Sequence, residues 1–224
     1  MRPWAAITAL VLFSACLMIV AAVEFGRELT PALIASTPPT ARFAAMVGGD
    51  TGPAHSYSSK EQFFRDCLDI SRSIVGQAQP TSRREAFDAR CGRAATESVG
   101  AMPLYARGWL VLAALAKAAG NEAGFADDLI RAFRAAPHAH YLAQTRVALV
   151  GADYGQSRED VQALYRSDIV TLLSGMAGRD LVAARFIDFP NERPAIRAAL
   201  DGATANEQAG FLAALKARGV EGSP

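Results

Sequence analysis

Few residues in this chain are able to do covalent chemistry, and they fall in a pattern. Cys67 and Cys91 stand at the two ends of "CLDISRSIVGQAQPTSRREAFDARC", and the third cysteine, Cys16, lies inside an apolar run. Helical periodicity puts Phe64, Cys67, Leu68, Ser71, Ile74 and Val75 on one face, and Phe87, Cys91, Ala94 and Ala95 on one face of the next helix. Gln79 is the midpoint between the cysteines and also the centre of the connection 76–82. Folding the two helices back antiparallel therefore brings Cys67 and Cys91 level, the geometry a disulfide needs. Closing a loop of about 25 residues contributes roughly 3 to 4 kcal/mol on the chain-entropy model. The alternative is a pair of buried free thiols, since cysteine packs as a small hydrophobe. Redox catalysis is not expected, because the chain has no C-x-x-C spacing.

Other polar clusters suggest less chemistry. His138 and His140 are two residues apart, so on a helix they point in different directions, and zinc needs further convergent ligands. They fit the polar start of a helix after Pro137, and no metal or cofactor is expected. Asp127-Asp128 would suit a nucleotide-sugar metal motif only after a strand; mid-helix it reads as a solvated face. The carboxylates Glu61, Asp66, Asp69, Glu85 and Asp88 are interleaved with Arg65, Arg72, Arg83, Arg84 and Arg90, again the mark of a helix surface. The chain has no Walker loop, no H-E-x-x-H and no G-x-S-x-G.

The elements that must position these residues are helices. From Ser58 onward the apolar spacing is helical, with no alternating run long enough for a strand. Ser58 with Glu61, Ser82 with Glu85, Ser157 with Asp160 and Thr204 with Glu207 have the spacing of capping boxes. Pro103 suits a first turn, and Gly120, Pro137 and Gly219 suit helix ends. Helices are expected near 59–75, 83–98, 103–119, 122–136, 139–150, 158–174, 179–188, 192–201 and 205–218. Short connections make successive helices antiparallel, giving an all-α stack of helical hairpins over 58–224.

Ahead of this domain, residues 4–23 carry no charge and would span roughly 30 Å as a helix, the thickness of a bilayer core. Arg2 precedes the run and Glu24 follows it. The positive-inside bias then leaves the N-terminus in the cytoplasm and the rest across the membrane, which in a bacterium is the periplasm. A retained transmembrane anchor is expected over 1–23; a cleaved signal ending V-x-A at Val20 to Ala22 is the alternative. Lipidation of Cys16 would leave "LMIVAAV" as the new N-terminus and is not expected. Residues 24–57 are rich in Pro and Gly and read as a tether, with a short helix near 42–47. An oxidising compartment agrees with the Cys67–Cys91 disulfide. The formal charge is only +1 and the basic residues are scattered among acids, so nucleic acid is not expected as a partner.

Residues 106–139, "ARGWLVLAALAKAAGNEAGFADDLIRAFRAAPHA", resemble one degenerate tetratricopeptide repeat. Trp109, Leu112 and Ala113 stand at the family's W-x-x-L-G spacing, Ala116 replaces its Tyr, Gly120-Asn121 makes the turn, and Leu129, Ala132 and Pro137 match the second helix and its stop. Phe125 departs from the family, which has a small residue there. The resemblance implies an α-solenoid scaffold that presents its first helix to a protein segment. On it, Tyr105, Trp109 and Leu112 divide between packing and groove, Arg107 and Lys117 offer charged contacts at the rim, and Asp127, Asp128, Arg131 and Arg134 face solvent. The layout of anchor, tether and short helical domain also resembles accessory proteins of bacterial envelope and surface-polysaccharide assembly. The expected function is a non-catalytic, membrane-anchored periplasmic adaptor for an envelope or inner-membrane protein. The alternative is a small helical enzyme acting on cell-wall or surface glycans, which requires two carboxylates facing each other across a cleft.

Overall fold

The computed structural model describes residues 3–49, 52–53 and 56–220, and every regular element among them is helical. In order these are α1 (Pro3–Ala35), α2 (Pro39–Gly48), α3 (Tyr57–Arg72), α4 (Ile74–Gln77), α5 (Thr81–Ala101), α6 (Ala106–Ala118), α7 (Glu122–Ala135), α8 (His140–Val150), α9 (Glu159–Leu173), α10 (Met176–Asp188), α11 (Arg193–Asp201) and α12 (Ala205–Ala217). Short 3-10 turns, Gly151–Gln156 and Pro190–Glu192, precede α9 and α11. The chain divides into two compact units, Met1–Ala94 and Ala95–Pro224. The division falls inside α5, and so within the span 58–224 expected as one domain.

Unit 1 departs from expectation near its start. Beyond Val23, where a tether is expected, α1 continues as helix through Pro31 to Ala35, and a second helix occupies 39–48. Proline inside a helix costs about 3 kcal/mol, and tertiary contacts outweigh that local signal: α1 packs on α2 and α3. The Glu28 carboxylate accepts the Ser56 N–H at 2.8 Å, the Ser59 hydroxyl at 2.5 Å and the Ser56 hydroxyl. A carboxylate placed at the start of α3 also meets the positive end of that helix. The stretch Leu10–Ala35 of α1 is long and apolar enough to cross a membrane.

The core of unit 1 forms where α3 and α5 meet. Phe63, Phe64, Leu68 and Ile70 are buried with Phe43 and Phe87, and the last two rings stack at 5.1 Å. Within this core Cys67 and Cys91 are joined by a disulfide with their Cα atoms 5.9 Å apart. Arg42 closes the edge with an ion pair to Asp66 at 2.5 Å.

Unit 2 is built of paired helices. α6 and α7 run antiparallel, with Arg131 lying 4.8 Å over the Trp109 ring at one end and Lys117 lying 5.4 Å over Phe125 at the other. Gly120 makes the turn between them with φ 69°, a left-handed conformation that a side chain would strain. α6 and α8 run parallel: Arg107 stacks on Tyr141 near their first turns, and Lys117 reaches the Leu149 carbonyl near their last. α9 is the central helix of this unit, touching α7, α8, α10, α11 and α12. The α9–α10 junction is so tight that a Cβ on Gly178 would lie 2.0 Å from the Leu172 carbonyl oxygen.

The helix ends follow capping chemistry, though often not at the residues that spacing selects. Thr204 and Glu207 form a complete capping box. At α3 the cap is Ser56, whose hydroxyl accepts the Ser59 N–H at 3.1 Å, in place of Ser58. α9 begins at Glu159 with no side-chain cap, because Asp160 is taken up by Arg158 and by the N–H of Val161. Pro103 sits in the turn ahead of α6 rather than in its first turn.

Candidate functional site

A cleft of about 520 Å³ opens in unit 2 where the end of α6, the first turns of α7 and α9, and the 151–156 turn converge. Phe125 and Val161 are buried on its floor. Two ion-paired groups form its walls. On one side the Lys117 ammonium meets Asp153 at 2.6 Å and also donates to the Leu149 carbonyl. On the other, Arg158 bridges Asp127 at 2.9 Å and Asp160 at 2.6 Å. The hydrogen bonds that the Arg158 guanidinium donates to Asp160 and Asp127 hold it above its ordinary pKa, and the bond accepted from Arg158 holds the Asp160 carboxyl below its own. Glu122, Ala123, Ala126, Gln156 and Ser157 complete the lining. An apolar floor bordered by both signs of charge suits a peptide segment with one anchoring side chain and polar flanks.

Two other polar clusters in unit 2, the first fully enclosed and the second nearly so, hold helices together. Arg146 of α8 and Asp168 of α9 are each 0% exposed and bond through two parallel contacts of 2.8 and 2.6 Å. The same guanidinium donates to the Ala136 and Pro137 carbonyls, satisfying the end of α7, and lies 5.2 Å over Phe133. Burial holds the Asp168 carboxyl above the usual carboxylate range, while the hydrogen bonds and charge of Arg146 draw it back. In the second cluster Glu192 accepts the Tyr165 hydroxyl at 2.5 Å and is paired by Arg185 through two bonds, one of 2.7 Å. Burial, and then the Glu192 carboxylate, push the Tyr165 hydroxyl well above its ordinary pKa. Neither Asp168 nor Glu192 lines the cleft.

Compared with protein-family models, with curated proteins and with solved structures, the chain matches none. The tetratricopeptide resemblance over 106–139 therefore rests on residue placement alone.

The candidate residues from the sequence are only partly brought together. Lys117 is in the cleft wall. Trp109 and Leu112 are half-buried along α6, and the Trp109 indole N–H donates to the Pro103 carbonyl at 2.8 Å. Tyr105 is buried. Arg107, expected at the rim, is only 5% exposed and stacks on the half-exposed Tyr141 ring at 5.1 Å. The rim assignment is corrected accordingly: Arg107→Glu would remove that stack and enclose a new carboxylate, so it perturbs the fold and is no clean probe of recognition. Of the α7 charges expected to face solvent, Asp127, Arg131 and Arg134 are exposed and Asp127 pairs with Arg158, whereas the Asp128 side chain is mostly covered and pairs with Arg131 at 3.1 Å. His138 and His140 are exposed, and His140 shares a 3.0 Å hydrogen bond with Ser174. Among the described residues no group of three His, Cys, Asp or Glu side chains converges as a metal site would require. Asp153 and Gln156 were beyond the reach of periodicity, since the 151–156 turn is no part of any apolar stripe, and Ser157 and Arg158 were read only as the start of the helix that follows.

Proposed function

We propose that this protein is a non-catalytic, membrane-anchored adaptor, and that unit 2 receives a segment of an envelope or inner-membrane protein in the cleft of Lys117, Phe125, Asp153, Arg158 and Val161. The observation that carries this reading is the cleft itself, with its apolar floor and its walls of paired opposite charges. Trp109 and Leu112 extend the receiving surface along α6. The parallel run of α6 and α8, each antiparallel to its own partner, supports a tetratricopeptide-like stacking of two hairpins. The apolar run 4–23 with Arg2 before it supports an inner-membrane anchor with the domain on the periplasmic side, and the Cys67–Cys91 disulfide suits that oxidising compartment. Within it, assembly or export of surface polysaccharide is the process this layout fits.

The cleft can be filled without touching the core, because Ala123 is exposed on the first turn of α7. Ala123→Trp is expected to leave the circular dichroism and the unfolding midpoint of the full-length protein unchanged, and to abolish co-purification of the envelope protein that wild type enriches from solubilised membranes. Equal enrichment by both proteins would remove the cleft from the account. Turnover of a glycan by the purified full-length protein, lost on changing one carboxylate, would replace the adaptor reading with the enzyme.

A further inference from the structure

We propose that Glu28 sets the first turn of α3 in the lipid headgroup layer, making unit 1 a platform held against the membrane by a stiff helical stalk. This rests on the reading of residues 4–23 as a retained anchor. The apolar run ends at Val23, and α1 continues without a break to Ala35. Glu28 lies four residues beyond Glu24, a rise of about 6 Å. The polar layer on each side of a 30 Å hydrocarbon core is about 5 to 8 Å deep, so Glu28 falls within it. Through its three bonds to Ser56 and Ser59, Glu28 brings the start of α3 to the same level.

The side chains gathered there suit a bilayer interface. Phe25 is 65% exposed and Tyr57, the first residue of α3, is 60% exposed. Aromatic rings of this kind collect where a span leaves the hydrocarbon, and Trp4 marks the other end of the same run. Glu24 and Arg27 neutralise each other at 2.9 Å, which eases their placement among headgroups. Lys60, one turn beyond Ser56 on α3, adds a cation that anionic headgroups attract.

The test uses the full-length protein with Cys16→Ala, reconstituted in vesicles of phosphatidylethanolamine and phosphatidylglycerol. The disulfide pair does not react, so single cysteines at Leu17, Phe25, Leu29, Leu33 and Tyr57 each carry one spin label. The α1 labels form a depth scale, read from collision with oxygen against a nickel chelate. The Tyr57 label is expected to read the depth of Leu29, within one turn. Adding Glu28→Ala is expected to move it to the accessibility of bulk water while the α1 labels stay in place and circular dichroism keeps its helix signal. A Tyr57 label as water-exposed as Leu33 in the Glu28 protein overturns the placement while leaving the anchor intact. Mass spectrometry showing a chain that begins near Val23 overturns the anchor reading, and the placement falls with it.

Discussion

Replacing Asp168 by alanine is expected to lower the stability of unit 2 by about 3 to 5 kcal/mol, the typical cost of leaving one partner of a buried ion pair alone. Among the described residues Asp168 is the carboxylate that Arg146 bonds, and both groups are fully enclosed. In Asp168→Ala no titrating carboxyl is left at the buried pair, so the deficit persists across the pH range. The reverse variant behaves differently. In Arg146→Met the Asp168 carboxyl keeps the upward push of burial and loses the groups that draw it down. A raised folded-state pKa means stability that is present below the unfolded value, about 4, and is lost as pH rises through the folded one. The Arg146→Met deficit is therefore greatest at neutral pH and shrinks on acidification. The double change Arg146→Met with Asp168→Leu removes both charges and is expected to recover most of the loss. Urea unfolding at pH 7 and pH 4 checks all three. A deficit under 1 kcal/mol for Asp168→Ala, or equal pH profiles for the two single variants, would contradict this role.

The second large effect belongs to unit 1. Reducing the Cys67–Cys91 disulfide, or replacing both cysteines by alanine, is expected to cost about 3 to 4 kcal/mol through the restored freedom of the loop it closes. Both sulfurs are buried in the core formed by α3 and α5, so the loss is local. Hydrogen exchange read by mass spectrometry is expected to show α3 and α5 losing protection while α8 and α9 keep theirs, the opposite of the Asp168→Ala pattern. Denatured, unreduced protein purified from cells is expected to take up one alkyl group per chain, at Cys16. Uptake at all three cysteines, or an equal loss of protection in α8 and α9, would contradict the assignment.

Much of the fold was legible in the residues. Gly120 and Gly219 both take the positive φ of helix ends, Thr204 and Glu207 cap α12 as their spacing requires, and the two cysteines meet as expected, although the connection between their helices is 73–80, contains α4 and is not centred on Gln79. The helix boundaries from α3 to α12 follow the apolar period to within a few residues. What escaped depends on contacts distant in sequence. The Arg146–Asp168 pair joins residues 22 apart, and Tyr165–Glu192 joins residues 27 apart. A faint signal for the first pair was present. Arg146 falls on the apolar stripe of Leu142, Ala143, Val147 and Val150, and Asp168 on that of Leu164, Ile169 and Leu172, so both charges stand in core register. Arg107 misled because Arg at a helix start usually faces solvent, whereas here its guanidinium lies over the Tyr141 ring. The run of α1 past Pro31 reverses a sound local rule through its contacts with α3. The cleft was invisible because its walls pair residues distant in sequence, Lys117 with Asp153 and Asp127 with Arg158, and one of them stands on the turn Gly151–Gln156, which has no period of its own.

Photo-crosslinking in intact cells puts the adaptor claim to its most direct test. A photoreactive amino acid placed at Ala123 or at Gln156 samples the cleft, and one placed at Arg218, exposed after α12, samples a remote surface. The account predicts that the two cleft positions yield the same single envelope-protein adduct, carried by a chain that retains residues 1–23, and that position 218 yields none. Adducts identical at all three positions, or absent from both cleft positions, would contradict it.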